Sequence, residues 1–214
     1  MNDRRVTPVT LCGQVAAAPT RWEGTSANRE GRFKVYEPDP ATIRAAMGGD
    51  IAAFEELVRG LQAQVWRYLR HLLGDDDLAE DVTQETFIRV YRRLRTFRFR
   101  SKFSTWVFQV ARNAGIDAIR SRARLLRLTE QAGAVTRQSV SGPEATSELR
   151  AAVDSLPVRL REALLTVEIL GLRYREASQV LGIPEGTVKS RVHHARQRLT
   201  AWLAEGELED AGDL

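Results

Sequence analysis

The densest group of cationic side chains lies near the carboxyl end, in the stretch GTVKSRVHHARQRL at residues 186–199. It contains four Lys or Arg residues, two adjacent histidines and no acidic residue. Apolar residues recur through it at helical spacing, which leaves the cations on the opposite face of one predicted helix. Such side chains bind phosphates and guanine edges, so the pattern favours a helix that lies in the DNA major groove. A solvated basic face on a structural hairpin is the alternative.

The residues before this stretch predict the element that positions it. A helix is expected over Tyr174–Leu181, followed by a break at Gly182 and Pro184 and a second helix that starts near Thr187. Two helices joined by so short a turn form a helix-turn-helix, whose second helix enters the groove. Repressors, activators and recombinases all use this motif, so the rest of the chain must decide between them.

A second group of functional side chains combines an acidic stripe with a basic, aromatic segment. Asp81, Gln84, Glu85 and Ile88 lie at i, i+3, i+4 and i+7 on one face of a predicted helix. From residue 89 to residue 106, cations are then interleaved with aromatic residues. Cations that follow phosphates and rings that stack on unpaired bases are what binding of single-stranded nucleic acid requires. Burial of the individual rings in the core is the alternative.

Hydrophobic periodicity predicts an all-α protein, made of two small helical domains joined by a flexible linker. The expected parts are a flexible extension at 1–38, a helical domain at 39–123, a linker at 124–147, a helix-turn-helix domain at 148–205 and an acidic tail at 206–214. The role of the extension stays open between a regulatory segment, a docking arm and a start codon assigned too far upstream.

Composition limits the class of protein. Of 214 residues, 43% are hydrophobic and 28% charged, and Lys+Arg exceed Asp+Glu by 32 to 28, as in ordinary soluble domains. The single cysteine, Cys12, excludes an internal disulfide, and no apolar run reaches the roughly 18 residues of a membrane span, so a cytoplasmic location is expected. No catalytic triad, paired-carboxylate or phosphate-loop motif occurs, which argues against an enzyme. Adjacent histidines diverge by about 100° on a helix, so neither a metal nor a cofactor is predicted.

Three stretches in a fixed order resemble one known family. They are DLAEDVTQETFIRVYRRLRTF, FSTWVFQVARNAGIDAIRSR and GTVKSRVHHARQRL. They look like regions two and four of the extracytoplasmic-function sigma factors, within the sigma-70 family, and the resemblance covers about residues 40–204. It implies a detachable subunit that binds core RNA polymerase and promoter DNA and is usually silenced by an anti-sigma factor. A helix-turn-helix regulator with an amino-terminal helical sensor domain is the alternative function.

The resemblance also implies roles for three sets of residues. The clamp of the largest catalytic polymerase subunit would be bound by Asp81, Gln84, Glu85 and Ile88. The minus-ten element would be recognised and melted by Arg100, Ser101, Lys102, Phe103, Ser104, Trp106, Asn113, Asp117 and Arg120. For Asp117, a surface ion pair with Arg120 is the alternative. The minus-thirty-five element would be contacted by Thr187, Lys189, Ser190, Arg191, His193, His194, Arg196 and Arg198. His193 and His194 differ from the residues frequent in the family, so base specificity stays open.

Overall fold

The computed structural model describes residues 35–131 and 144–210, and the side chains of 35–128 and 148–204. These parts of the chain are helical and contain no strand, which confirms the predicted all-α class. The elements are α1 (Pro40–Met47), α2 (Ile51–Leu73), α3 (Asp76–Arg93), a short 3-10 turn (Leu94–Thr96), α4 (Phe103–Gln131), α5 (Glu144–Ser155), α6 (Val158–Glu168), α7 (Tyr174–Leu181) and α8 (Glu185–Asp210).

The first three helices each begin at an aspartate. The carboxylates of Asp39, Asp50 and Asp75 accept hydrogen bonds from the backbone N–H groups of Ala41, Ala53 and Leu78. A helix leaves its first N–H groups without partners inside the helix, and an aspartate at the cap supplies one. These caps fix the starts of α1, α2 and α3, which together with α4 form the first helical unit.

The core of this first unit follows the apolar period of α2 and α4. Leu57, Leu61, Val65, Leu69 and Leu72 of α2 are buried, at 0–1% exposure. Val107, Phe108 and Ala111 of α4 are equally buried and belong to the same core. Burial of such side chains is the main stabilising contribution in a small helical unit.

The second unit, α5 to α8, contains the predicted helix-turn-helix. Helix α7 has the expected bounds, and α8 begins at Glu185, two residues before the expected start. Between them Gly182 has a φ of 66°, in the left-handed region that glycine adopts without strain. The Ser178 hydroxyl donates a hydrogen bond to the carbonyl of Ile183 and holds the turn. Val188, Val192 and Ala195 of α8 are buried against α6 and α7, so the seam of α8 is as predicted.

The two units pack against each other. Leu165, Leu170, Leu172 and Val180 of the second unit belong to the same apolar core as the first unit. Three ion pairs add to this contact: Lys102 to Glu176 and Arg112 to Glu162, each with a shortest N–O distance of 2.7 Å, and Arg150 to Asp76 at 3.0 Å. The contact therefore brings the second unit against the start of α3 and against the start and middle of α4.

The predicted boundaries differ from the helix ends. Helix α4 continues to Gln131 and α5 begins at Glu144, so both ends of the predicted linker at 124–147 are helical, and 132–143 lie outside the described residues. Arg, Leu and Glu at the end of α4 form helices well without an apolar period. Of the predicted extension, 1–34 lie outside the described residues, and 35–38 are placed against α2 and α4. Helix α8 includes 206–210 of the predicted acidic tail.

Candidate nucleic-acid and protein interfaces

The acidic stripe lies on the outer face of α3. Asp81 and Gln84 are exposed, and Ile88, at the carboxyl end of the stripe, is 45% exposed. Glu85 is partly buried, and its carboxylate accepts a hydrogen bond of 2.8 Å from Nε of Arg89. An exposed aliphatic residue among carboxylates suits a protein partner with a basic surface, since apolar burial supplies affinity and charge supplies orientation.

The segment between the 3-10 turn and α4, Phe97–Lys102, is called the basic loop below. Its cations Arg98, Arg100 and Lys102 are exposed, and Ser101 is partly exposed. Phe97 is buried and anchors the loop, with its ring centroid 5.3 Å from that of Phe103 and 5.4 Å from that of Trp106. The loop therefore carries exposed cations and is anchored by a buried aromatic cluster.

Phe103 and Ser104 were predicted to contact DNA, and the structure corrects this. Both are 1% exposed and belong to the interior of the first unit. The carboxylate of Glu37 accepts hydrogen bonds from the backbone N–H of Phe103 at 2.7 Å and of Ser104 at 3.2 Å, and from the Ser104 hydroxyl. These two residues form the first turn of α4, and the Phe103 ring packs against Phe97 of the basic loop. Trp106 is partly buried on the same aromatic cluster.

Glu37 is a functional candidate that the sequence analysis missed. Lys102 precedes α4, and its ammonium group has no acceptor with which to cap the helix. Glu37, 66 residues earlier, supplies that acceptor. Its segment is fixed by the N–H of Tyr36, which donates to Oε1 of Gln64. The Tyr36 ring also packs directly on Gly60, where an added Cβ would stand 2.1 Å from Cε1 of the ring. A cap so distant in sequence leaves no local signal.

Three polar residues of α4 form a row along the helix, called the polar line below, and one of them is bound to α3. Asn113, Asp117 and Arg120 are exposed on α4. Asp117 binds Arg89 of α3 at 3.0 Å, so its partner is on another helix and not Arg120 as the alternative prediction had it. The hydrogen bonds that Arg89 donates to the carboxylates of Glu85 and Asp117 raise the pKa of Arg89. Asn113 lies on α4, the helix that follows the basic loop, and its exposed amide can donate to and accept from a base edge.

The outer face of α8 presents most of the predicted DNA-binding residues. Lys189, Ser190, His193, His194, Arg196 and Arg198 are exposed, and Thr187 is partly exposed. Lys189 binds Glu185 at 3.0 Å, and Arg196 binds Glu168. Ion pairs as exposed as these contribute little to stability, so the cations can leave these carboxylates for other anions. The face is therefore available to phosphates.

Arg191 differs from its neighbours on α8. Its side chain is 21% exposed, and its Nη1 lies 3.3 Å from Oε1 of Glu162. The other carboxylate oxygen of Glu162 accepts hydrogen bonds from Nε and Nη2 of Arg112, at 2.9 and 2.7 Å. Nη1 of Arg112 donates in turn to Oδ1 of Asn113 at 3.3 Å. One network therefore joins a predicted minus-thirty-five contact to a predicted minus-ten contact.

Lys102, in the basic loop of the first unit, forms an ion pair with the second unit. Its ammonium group lies 2.7 Å from Oε1 of Glu176 on α7. Burial acts to raise the pKa of Glu176, but hydrogen bonds from Lys102 and from the Arg173 backbone outweigh burial and leave that pKa below its usual value. Glu176 is therefore ionised at neutral pH and attracts a cation that could otherwise bind phosphate.

Comparison with known proteins identifies the family. Residues 57–125 match the family model for sigma-70 region 2, and residues 146–199 match the one for sigma-70 region 4. The ECF RNA polymerase sigma factor SigE of Mycolicibacterium smegmatis is 36% identical over 186 residues, which cover 82% of this chain and 72% of that protein. The chain belongs to the ECF sigma factors. SigM of Bacillus subtilis, another member, is 35% identical over 152 residues, which cover 69% of this chain and 93% of that protein.

Solved structures agree with this fold. The sigma factor RpoE from Bartonella quintana, in complex with the anti-sigma factor NepR, has a TM-score of 0.64 at 24% identity and covers 72% of this chain and 98% of its own. CnrH, in complex with the cytosolic domain of CnrY, has a TM-score of 0.60 at 24% identity, covering 77% of this chain and 96% of its own. Both have the helical architecture of this sigma factor.

As an ECF sigma factor, this protein binds core RNA polymerase and directs promoter-specific initiation of transcription. The region 2 match includes the acidic stripe, the basic loop and the polar line of α4, and the region 4 match includes α6, α7 and the basic face of α8. In the parts of the chain that the structure describes, no helix is long and apolar enough to cross a membrane. No group of three or more potential metal ligands occurs there either.

Proposed function

We propose that three surfaces of this sigma factor divide the work of initiation. The acidic stripe on α3 binds core polymerase, the basic loop and α4 open the minus-ten element, and the outer face of α8 binds the minus-thirty-five element. The observation that carries this proposal is the exposed Ile88 among Asp81, Gln84 and Glu85. A protein that only binds DNA needs a basic face, and an acidic face with an exposed aliphatic residue calls for a protein partner.

The basic loop supports a role in strand opening. Its exposed cations can bind successive phosphates, and the buried aromatic cluster anchors the loop at the start of α4. Asn113 lies on the same helix and offers both a donor and an acceptor to a base edge. A base must leave the duplex before such groups can reach its Watson–Crick edge, which is the first step of opening.

The geometry of α8 supports a division between base reading and phosphate binding. Ser190 and Arg191 are close to the start of the helix, which is the part of a recognition helix that reaches base edges. Arg196 and Arg198 are one to two turns further along, where contacts go mostly to phosphates. Exposed His193 and His194 lie between these groups and offer ring nitrogens to bases or phosphates.

The partners and location follow from the same surfaces. The similar sigma factor RpoE was solved in complex with the anti-sigma factor NepR, and this chain also takes an anti-sigma protein as its inhibitor. It acts in the cytoplasm, where core polymerase and promoters meet. It performs no bond-making step of its own, since the polymerase active site synthesises the RNA. Its functional parts are 39–123 for polymerase and the minus-ten element and 148–205 for the minus-thirty-five element.

A binding experiment separates this function from that of a helix-turn-helix regulator. Promoter duplex is titrated with the full chain alone and with the chain bound to core polymerase. The proposal predicts tight, sequence-dependent binding only with core polymerase. A regulator would instead bind the specific duplex alone with nanomolar affinity, which is typical of specific DNA-binding proteins.

A further inference from the structure

The segment that leads into α1, residues 35–38, lies between α2 and the start of α4 and is called the strap below. Val35 and Tyr36 are partly buried against the apolar core of the first unit, and Pro38 is buried. Proline fixes its own φ and restricts the residue before it, which here is Glu37. The match to region 2 begins only at residue 57, so it gives the strap no role.

Tyr36 binds the strap to α2 at two points. Its N–H donates a hydrogen bond of 3.1 Å to Oε1 of Gln64. Its ring covers Gly60, so closely that an added Cβ there would overlap the ring, at 2.1 Å from Cε1. Gly60 lies in the interior of α2, where glycine is less stable than alanine. The missing side chain at this position therefore makes room for Tyr36.

Glu37 carries the hold of the strap over to α4. Its carboxylate accepts hydrogen bonds from the N–H groups of Phe103 and Ser104, at 2.7 and 3.2 Å, and from the Ser104 hydroxyl. Glu37 is itself an exposed residue. An exposed carboxylate holds a helix start in place only if its own backbone is fixed, because a free side chain loses entropy on binding. Tyr36 and Pro38 provide that fixed backbone on either side.

The basic loop needs a fixed end at this point. Phe99, in the middle of the loop, has a φ of 53°, and in the described part of the chain no other non-glycine residue has a positive φ. A side chain crowds the backbone in this region, so the conformation persists only where the surroundings impose it. Buried Phe97 holds one end of the loop, and Glu37 holds the other through Phe103. Without the strap, the loop would relax.

We propose that the strap is a positioning element for strand opening: Tyr36, seated on Gly60, places Glu37, and Glu37 keeps the basic loop in its strained conformation. The functional part proposed at 39–123 therefore extends back to Val35. This rests on the proposed role of the basic loop in strand opening. The strap residues act through the loop and make no DNA contact of their own.

A double-mutant cycle at Tyr36 and Gly60, in the full chain with core polymerase, tests this proposal. Gly60→Ala displaces the Tyr36 ring and Tyr36→Ala removes it, so each alone should lower opening about fivefold, the factor for loss of one helix cap. Opening is measured on a duplex promoter as permanganate reactivity of unpaired thymines. In the double variant, Gly60→Ala should add no further loss of opening. It should instead raise the melting temperature by roughly 2–4 °C over Tyr36→Ala, because alanine favours the helix.

Two measurements separate positioning from overall stability. A promoter with mismatches across the minus-ten element should restore transcription by Gly60→Ala and by Tyr36→Ala, and the affinity of both variants for core polymerase should equal that of wild type. Tyr36→Phe keeps the ring on Gly60 and should rescue opening relative to Tyr36→Ala. Normal duplex opening by Gly60→Ala, additive losses in the double variant, or equal defects on duplex and mismatched promoters would each overturn the proposal.

A variant of the basic loop distinguishes this failure from failure of the proposed function. Arg100→Ala combined with Lys102→Ala removes two exposed cations of the loop. If this variant opens the duplex promoter as wild type does, the proposed role of the loop in opening fails. If it loses opening while Tyr36→Ala and Gly60→Ala keep it, the loop retains its role and the strap proposal alone fails.

Discussion

Arg191 of α8 and Glu162 of α6 form an ion pair of 3.3 Å in which the carboxylate is 3% exposed. The same carboxylate binds Arg112 of α4, so one buried charge joins both units and holds a predicted base-reading side chain. An arginine engaged in this way is not free to bind a guanine edge. The contact between the two units must open at this ion pair before α8 can use Arg191 on DNA.

Loss of the Glu162 charge should therefore loosen the contact between the units. Glu162→Gln leaves two guanidinium groups facing a neutral amide, which should lower the free energy of unfolding by about 3 kcal/mol. The radius of gyration, measured by small-angle X-ray scattering, should increase. Affinity of the isolated chain for a minus-thirty-five duplex should rise several-fold, because Arg191 becomes available.

Glu168→Gln is the matched control for this substitution. It removes the same charge from the same helix, but the Glu168–Arg196 pair is exposed, with side chains 44% and 56% accessible. Its loss should change stability by less than about 1 kcal/mol and leave the radius of gyration unchanged. Equal scattering profiles for Glu162→Gln and Glu168→Gln would show that the buried carboxylate does not hold the units together.

Reversal of the acidic stripe should abolish polymerase binding without unfolding the protein. Asp81→Arg combined with Glu85→Arg alters side chains that are exposed or half-buried on α3, so the helical circular dichroism spectrum should be unchanged. Affinity for core polymerase, measured by fluorescence anisotropy, should fall by more than about tenfold, or 1.4 kcal/mol. Glu55→Arg combined with Glu56→Arg makes the same change of charge on α2 and should retain affinity. Equal affinities for both double variants would reject the stripe as the docking surface.

Arg191 and Arg198 should affect DNA in different ways. Arg198→Ala removes a phosphate contact, so it should weaken all promoters about equally and reduce the salt dependence of binding by roughly one unit. Arg191→Ala should cost about 1–3 kcal/mol at particular base pairs and relax the preference there. A scan of base substitutions across the minus-thirty-five element with holoenzyme measures both. Identical profiles for the two variants would remove the distinction.

Glu37 should set the strength of promoter opening through the start of α4. Glu37→Ala leaves the N–H groups of Phe103 and Ser104 without their acceptor, and loss of a helix cap costs about 1 kcal/mol. Duplex promoters should open several-fold less, and a promoter with mismatches across the minus-ten element should restore transcription. Asp39→Ala removes the cap of α1 and serves as a control of similar stability loss. Equal defects of Glu37→Ala on duplex and mismatched promoters would show that Glu37 acts on overall stability alone.

The parts of the structure that could be predicted from sequence are those with a local signal. The apolar period of α2 and the Gly-Ile-Pro turn before α8 each depend on residues within a few positions of one another. The acidic stripe was also visible, because helical spacing places its residues on one face. For these features, local spacing alone defines the buried and exposed sides.

The remaining features depend on residues far apart in the chain. Glu37 binds Phe103 across 66 residues, and Arg112 binds Glu162 across 50, distances at which sequence spacing carries no information. The interleaved cations and rings did not distinguish buried Phe103 from exposed Phe99, since both alternate with basic residues in the same way. The left-handed backbone of Phe99 was equally hidden, because phenylalanine rarely adopts it.

Run-off transcription with purified core polymerase tests the central claim most directly. A duplex promoter from the regulon, with its start site mapped in cells that overproduce the chain, is transcribed with core polymerase alone, with the chain, and with the chain carrying Asp81→Arg and Glu85→Arg. The account predicts one run-off product of the mapped length, present only with the wild-type chain, and lost when either the minus-ten or the minus-thirty-five element is scrambled. Products of equal amount from core polymerase with and without the chain, while the chain alone binds the duplex specifically, would contradict it.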